Sequence, residues 1–268
     1  MQYFHSWSGG KDSTASIILD HIHGLPPSKI IFSKVMFDRK RGISGELPEH
    51  IRFVRDQAKP LFESWGYEVE MIHAEKDYLD CFYQPIQRSR VPERIGKYGG
   101  WPIGGRCKIN RDLKIPPIRS YFKKLNLAGT EYIQYIGIAL DEPKRLRRLQ
   151  GTNKISLLQR FGYTEQMTYD LCKEYGLLSP IYRVSRRGGC WFCPNQSYGE
   201  LAHLITDYPE LWEELRKLDA EENVVSHGFK YRKTLEQVEA HIEDQIQKQR
   251  RHINGKDADH FRSVRTHL

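Results

Sequence analysis

Short, nearly continuous apolar runs alternate along the chain with longer stretches whose apolar positions recur every three or four residues. Residues 2–7, with Tyr3-Phe4-His5, predict a first strand, and residues 13–23, opening on Ala15-Ser16-Ile17-Ile18-Leu19, a helix behind it. Pro26-Pro27 mark the next turn. Residues 29–37 hold Ile30, Ile31, Phe32, Val35, Met36 and Phe37, the run expected of a strand buried on both faces. Ile51, Val54, Ala58, Leu61 and Phe62 give residues 48–65 a helical period, and residues 67–72 alternate as a strand. A helix is expected over 114–125, a buried strand over 132–140 ending at Asp141-Glu142, a short helix over 165–176, and long polar helices over 198–219 and 234–251. Residues 89–106 are rich in Gly and Arg and read as irregular. Strand–helix alternation of this kind predicts an α/β fold, a doubly wound, mostly parallel sheet that binds its ligand at the strand C-termini. The expected organisation is a nucleotide-binding α/β domain over residues 1–160 and a cysteine-containing, helical C-terminal extension over 161–268.

The chemistry concentrates behind the first strand, where Ser6-Trp7-Ser8-Gly9-Gly10-Lys11-Asp12-Ser13-Thr14 leads into the helix. Adjacent glycines let the backbone turn tightly with its N–H groups facing inward, and such a concavity binds anions. A helix N-terminus adds unpaired N–H groups and a positive dipole end. Ser8, Ser13 and Thr14 add hydroxyls and Lys11 a point charge. The spacing is neither that of a Walker loop nor that of a Rossmann glycine fingerprint. Ser-Gly-Gly-x-Asp-Ser after an N-terminal strand resembles the PP-loop of the N-type ATP pyrophosphatases, which grip the pyrophosphate end of ATP while a nucleophile attacks the α-phosphorus. Asp12 is expected either to ligand a metal or to cap the helix. Asp38, at the end of the second strand, is expected either to reach a ribose or to close a turn.

Composition narrows the setting. The 268 residues carry a formal charge of +8, with basic residues bunched at Arg39-Lys40-Arg41, Lys144-Arg145, Arg147-Arg148, Arg186-Arg187 and Lys248-Gln249-Arg250-Arg251. That balance suits a polyanionic partner, a nucleic acid such as tRNA or DNA, or else a solvated basic surface. No apolar run approaches the ~20 residues of a bilayer span, so no membrane partner is expected, and with no leader pattern at residue 1 the cytoplasm is the expected location. Five cysteines in such a setting read as ligands, nucleophiles or core residues rather than disulfides. Cys190-Trp191-Phe192-Cys193 is a C-x-x-C, which suits an iron–sulfur cluster, a zinc site, a buried pair or a redox dithiol. Cys81, among apolar neighbours, reads as core.

Further along come Glu46-Leu-Pro-Glu49-His50, Arg106-Cys107 with Leu113-Lys114 and Pro116, Gly137-Ile138 with Asp141-Glu142 and Arg145, and Arg187-Gly-Gly-Cys190. With the loop, these make residues 1–200 resemble the phosphoadenosine phosphosulfate (PAPS) reductase family of the adenine nucleotide α-hydrolase-like superfamily. The resemblance implies ATP with Mg²⁺ as bound nucleotide, with Gly137 lining it and Lys11, Asp12, Asp141, Glu142 and Arg145 around the phosphates. It implies that Arg106 and Lys114 meet an anionic second substrate. It also implies a [4Fe–4S] cluster, or Zn²⁺, on Cys107, Cys190 and Cys193, with Cys172 added here as the fourth ligand. The departures matter. Residues 255–268 lack the nucleophilic cysteine of the reductase tail, and the loop is intact where reductases tend to have a degenerate one. Both features favour ATP cleavage for sulfur transfer or adenylylation over sulfonucleotide (PAPS or APS) reduction. The expected partners are a nucleic acid or a sulfur-donor protein, with a homodimer as one oligomeric state. A non-catalytic nucleotide- or nucleic-acid-binding protein is the remaining alternative.

Overall fold

The computed structural model describes residues 1–102, 107–186, 188–231, 233–245 and 247. Strand β1 (Gln2–Trp7) turns through Ser8-Gly9-Gly10 into helix α1 (Lys11–Ile22), and β2 (Ser28–Lys34) follows. The expected strand over 29–37 breaks at Val35. Its N–H donates to the buried Glu46 carboxylate (3.1 Å) and its carbonyl accepts from the Gly45 N–H (2.7 Å), so the chain leaves the sheet. Strands β3 (Met36–Asp38) and β4 (Ile43–Ser44) then form a separate antiparallel ribbon. The expected helix over 48–65 is α2 (Pro48–Arg52), a π-helical turn (Phe53–Ala58) and α3 (Lys59–Ser64). Pro60 has no N–H to give the turn before it, and the wider ladder falls just there. Next come β5 (Glu68–His73), α4 (Tyr78–Phe82) and β6 (Tyr98–Gly100). A second π-helical turn (Asn110–Lys114) precedes Pro116-Pro117 and α5 (Ile115–Leu127). The chain continues through β7 (Tyr132–Ile136), α6 (Pro143–Leu146), β8 (Lys154–Ile155), α7 (Leu157–Arg160) and α8 (Glu165–Glu174). It then runs through α9 (Tyr198–Asp207), α10 (Pro209–Asp219), β9 (Val224–Ser226) and a helix over 235–245.

The central sheet has five strands in the order β5-β2-β1-β7-β8, and each neighbouring pair is parallel. Strand alternation sends Phe4 to one face and Trp7 to the other. Phe4 and Ile31 pack with Phe122 of α5. Trp7, Ile30 and Phe32 pack with Ile17 and Ile18 of α1, Phe62 of α3 and Leu171 of α8. Helices therefore cover both faces, as an all-parallel sheet requires. The chain runs outward from β1 through β2 to β5, then returns to the other side of β1 as β7. The order reverses between β1 and β7, and the crevice at the C-terminal ends of these two strands is the ligand position of such sheets.

The chain divides into two compact units, Met1–Gln84 with Arg106–Trp191, and Pro85–Gly105 with Phe192–Leu268. This differs from a boundary at residue 160. Residues 161–191 stay with the first unit because α8 packs on α1, its Cys172 lying in the same core cluster as Ile17 and Ile18. Residues 85–105 join the second because β6 pairs in parallel with β9, Tyr98 opposite Val224 and Gly100 opposite Ser226. Within the second unit Trp101 and Trp212 both meet Phe229, at ring-centroid distances of 5.1 and 6.2 Å. The expected helix over 198–219 is split at Tyr208 (φ −140°, ψ 56°), next to Pro209. Among the described residues no helix is long and apolar enough to cross a membrane.

Candidate functional site

The Ser8-Gly9-Gly10 turn leaves the C-terminal end of β1 and enters the 12-residue α1 with Gly10 as N-cap and no side-chain cap on its first N–H groups. Gly9 has φ +73°, and a Cβ there would lie 2.6 Å from His50 Cε1 and 2.7 Å from His50 Nε2. Only glycine satisfies both constraints. The Ser13 hydroxyl staples the turn: it donates to the Gly10 carbonyl (3.0 Å), accepts from the Ser8 N–H (3.2 Å) and lies 3.1 Å from Ser8 Oγ. From the other side Gly137, one residue past β7, presses on the first turn of α1. A Cβ on Gly137 would lie 2.5 Å from Ser13 N and 2.6 Å from the Asp12 carbonyl carbon. The expected strand over 132–140 stops at Ile136 for this reason. Gly137 thus enters the site as a contact to the loop's backbone.

Helix α8 gathers the charged residues. Lys11 Nζ donates to Asp12 Oδ1 (2.7 Å) and to Glu165 Oε2 (3.3 Å). Burial alone would lower the Lys11 pKa, but these two carboxylates hold it above the ordinary lysine value. Thr168 Oγ1 donates to Asp12 Oδ1 (2.8 Å), and the Glu165 N–H donates to Asp141 Oδ1 (3.0 Å). Asp12 is therefore tied to α8 rather than capping α1. Asp12 Oδ2 and Asp141 Oδ2 accept no hydrogen bond among the described residues. Glu142 uses both oxygens locally, one on the Ala139 N–H (3.3 Å) and one on Arg145 Nη1. Arg145 is half-exposed and paired with Glu142.

Three further residues support the loop: Tyr182 and Ser179, which carry no signal in the sequence, and His50, which the resemblance included without a role. The backbone N–H of Lys11 donates to the Tyr182 hydroxyl (2.8 Å), so this hydroxyl sits over the first amide of α1. His50 lies 3.3 Å from the Ser8 carbonyl through Nε2 and 2.7 Å from Ser179 Oγ through Nδ1. Burial lowers the His50 pKa, and the charges of Glu46, Lys114 and Glu49 act on it. The unfolded imidazole titrates near pH 6.5, as histidine ordinarily does. The native state refuses that proton, so stability is full above this pH and falls as pH drops below it. The urea midpoint is expected to fall between about pH 7.5 and about pH 5.5, and to fall less in His50→Gln. Identical pH dependence in the two proteins would show that His50 is not held neutral.

No family model matches the chain, and no curated protein matches its sequence. The geometry is therefore the ground on which function is read.

The geometry corrects one sequence-based expectation, for Thr14, and decides between the two held for Asp38. Thr14 is fully buried, and its hydroxyl accepts from Trp7 Nε1 (3.0 Å), so it faces the core instead of a ligand. Asp38 lies on the β3–β4 ribbon and accepts from both the backbone N–H (3.1 Å) and Nε of Arg41. Burial alone would raise its carboxyl, but Arg41 holds it below the ordinary value, so Asp38 closes a turn. Cys172 is fully buried in α8, its thiol donates to the Lys11 carbonyl (3.2 Å), and burial pushes its pKa up to about 12. Of the other expected ligands, Cys107 is exposed and takes the Asn110 N–H (3.3 Å), Cys190 bridges to Glu46 beside β4, and Cys193 belongs to the second unit. Among the described residues no three His, Cys, Asp or Glu side chains are gathered around a common point. Cys81, read as core, is half-buried, and its thiol is pushed up to about 11 by burial and the Asp112 charge. Arg106, Arg187 and the basic run 248–251 lie outside the described residues.

Cys172→Ala is expected to leave any iron or zinc on the purified protein unchanged while lowering stability by about 1 kcal/mol, the scale of one buried hydrogen bond. Elemental analysis beside a urea melt checks this, and metal loss would return Cys172 to the ligand set.

Proposed function

We propose that this protein is a PP-loop enzyme, resembling the PAPS reductase family, that cleaves ATP between its α- and β-phosphates to activate a substrate for sulfur transfer. The observation that carries the reading is the position of the Ser8-Gly9-Gly10 turn. It stands at the C-terminal end of the central strand, at the reversal of strand order, with the N-terminus of α1 behind it and Gly137 against it.

In this reading the loop amides and the Ser8 and Ser13 hydroxyls hold the pyrophosphate end of the nucleotide. Lys11, swung from its carboxylate partners or shared with them, stabilises charge on the leaving group. The acceptor's nucleophilic atom attacks the α-phosphorus. Its new bond to phosphorus forms as the bond to the bridging oxygen breaks, and that oxygen leaves with the electron pair as pyrophosphate. Asp12 and Asp141, each with one oxygen uncommitted, suit Mg²⁺, which typically takes one or two carboxylates together with substrate phosphates. When bound, Mg²⁺ supplies further charge neutralisation at the phosphates. Arg145, half-exposed and four positions past Asp141, would meet an α-phosphate oxygen in this reading. The cysteines enter no step of this reading.

The test is calorimetric titration with ATP and with PAPS, followed by an assay of pyrophosphate release. Tight ATP binding with weak PAPS binding is the expected result. The reverse preference would overturn the reading and make the protein a sulfonucleotide reductase working without a tail cysteine.

A further inference from the structure

The β7 side of the sheet carries a feature that nucleotide binding does not use. Between Pro143 and Thr164 the sequence holds Lys144, Arg145, Arg147, Arg148, Lys154 and Arg160 and no Asp or Glu. These 22 residues carry +6 of the chain's net +8. Arg145 pairs with Glu142, and the other five have no carboxylate partner among the described residues. Five unpaired cations on one short segment make a strong positive field.

The same segment encloses a groove of about 470 Å³ along the edge strand β8. Leu140, Leu149 and Ile155 supply apolar lining, Arg147 and Lys154 supply charge, and Gln159 supplies an amide. Leu140 and Ile155 are 42% and 37% exposed, so large aliphatic surface stays open to solvent beside the cations. Gly137, which touches the first turn of α1, and Leu140, which lines the groove, are three positions apart in the chain.

We propose that this groove binds a single strand of nucleic acid, the bases lying on Leu140, Leu149 and Ile155 and the phosphates on Arg147 and Lys154. The volume falls within the range of small-molecule-sized pockets of roughly 300–1,000 Å³, room for a nucleotide unit. Guanidinium groups bind phosphate through two hydrogen bonds at once. Proteins hold single strands by combining phosphate contacts with side chains, commonly aromatic, that take the faces of the bases; in this groove aliphatic side chains supply that surface. A duplex hides those faces, and an acidic peptide would leave the aliphatic lining uncovered. The groove would hold the acceptor of the proposed reaction; this acceptor role rests on the ATP-cleaving reading, whereas the binding does not.

Fluorescence anisotropy with a labelled oligothymidylate of about twenty nucleotides tests the proposal, beside a hairpin duplex and a polyglutamate peptide of similar length. The full chain is expected to prefer the single strand. Arg147→Ala with Lys154→Ala should weaken it by about tenfold or more and flatten the log–log salt dependence by about 1.4, two contacts at ~0.7 each. ATP affinity should be unchanged. Ile155→Ser should weaken binding without altering the salt slope. Arg119→Ala with Lys123→Ala, exposed on α5, serves as the charge-matched control and should have little effect. Equal affinity in the groove variant and the unaltered chain would overturn the proposal. Equal weakening by the α5 control, or equal binding of the duplex or the polyglutamate, would overturn it too. The two readings fail separately. Groove-dependent strand binding without pyrophosphate release would remove only the ATP-cleaving reading, and ATP cleavage with strand binding indifferent to Arg147 and Lys154 only the groove.

Discussion

Lys11→Ala is expected to slow pyrophosphate release from ATP by roughly 10²–10³-fold, the usual loss when one group aimed at developing charge is removed. The fold should survive. The Lys11 side chain contributes ion pairs to Asp12 and to the half-exposed Glu165, and such pairs contribute about 1 kcal/mol or less. Its backbone bond to Tyr182 and the carbonyl contact with Cys172 do not depend on the ammonium. A turnover assay beside a urea melt separates the two effects. Glu165→Gln is the internal control: it removes one Lys11 partner, leaves Asp12 in place, and should cost far less. Full turnover in Lys11→Ala would mean that the loop is a structural turn.

Gly137→Ala should damage both stability and nucleotide affinity. The added methyl would stand 2.5 Å from Ser13 N and 2.7 Å from Ser13 Cα, backbone atoms with nowhere to move inside a helix packed on both α8 and the sheet. Forced overpacking of this kind costs about 1–3 kcal/mol. Because the displaced atoms belong to the first turn of α1, the loop moves with them, and ATP affinity should drop by at least about tenfold, which corresponds to ~1.4 kcal/mol. Gly199→Ala makes the contrast. It lies in α9, its nearest neighbour to a new Cβ is 3.9 Å away, and it should be neutral or stabilising. A Gly137→Ala protein with the original urea midpoint and ATP affinity would show that β7 and the loop are not in tight contact.

The order of strands and helices was legible because burial leaves its period in the sequence. Ile30-Ile31-Phe32 has no polar side because both faces of β2 are covered. The loop was legible because adjacent glycines before a helix are a local signature needing no knowledge of the rest of the chain. The breaks in the longer elements were legible in part. Pro60, Pro116 and Pro209 mark them, but the wide turns ahead of the first two depend on how each helix packs.

By itself the sequence determined the α/β class, the position of the Ser8–Ser13 run behind a first strand, the basic character of residues 143–164, and the residue types available for phosphate chemistry. All of these depend on neighbours within a turn or two along the chain. Only the tertiary structure decided what those residues touch. It turned Thr14 into the core beneath Trp7, tied Asp38 to Arg41, and buried Cys172 against the Lys11 carbonyl. It also brought Glu165, Thr168 and Tyr182 to a loop more than 150 positions earlier in the chain, and Ser179 to His50 beneath it. Contacts of that span arise from the packing of α8 and of the short turn after it, Pro180–Arg183, and no local period encodes them.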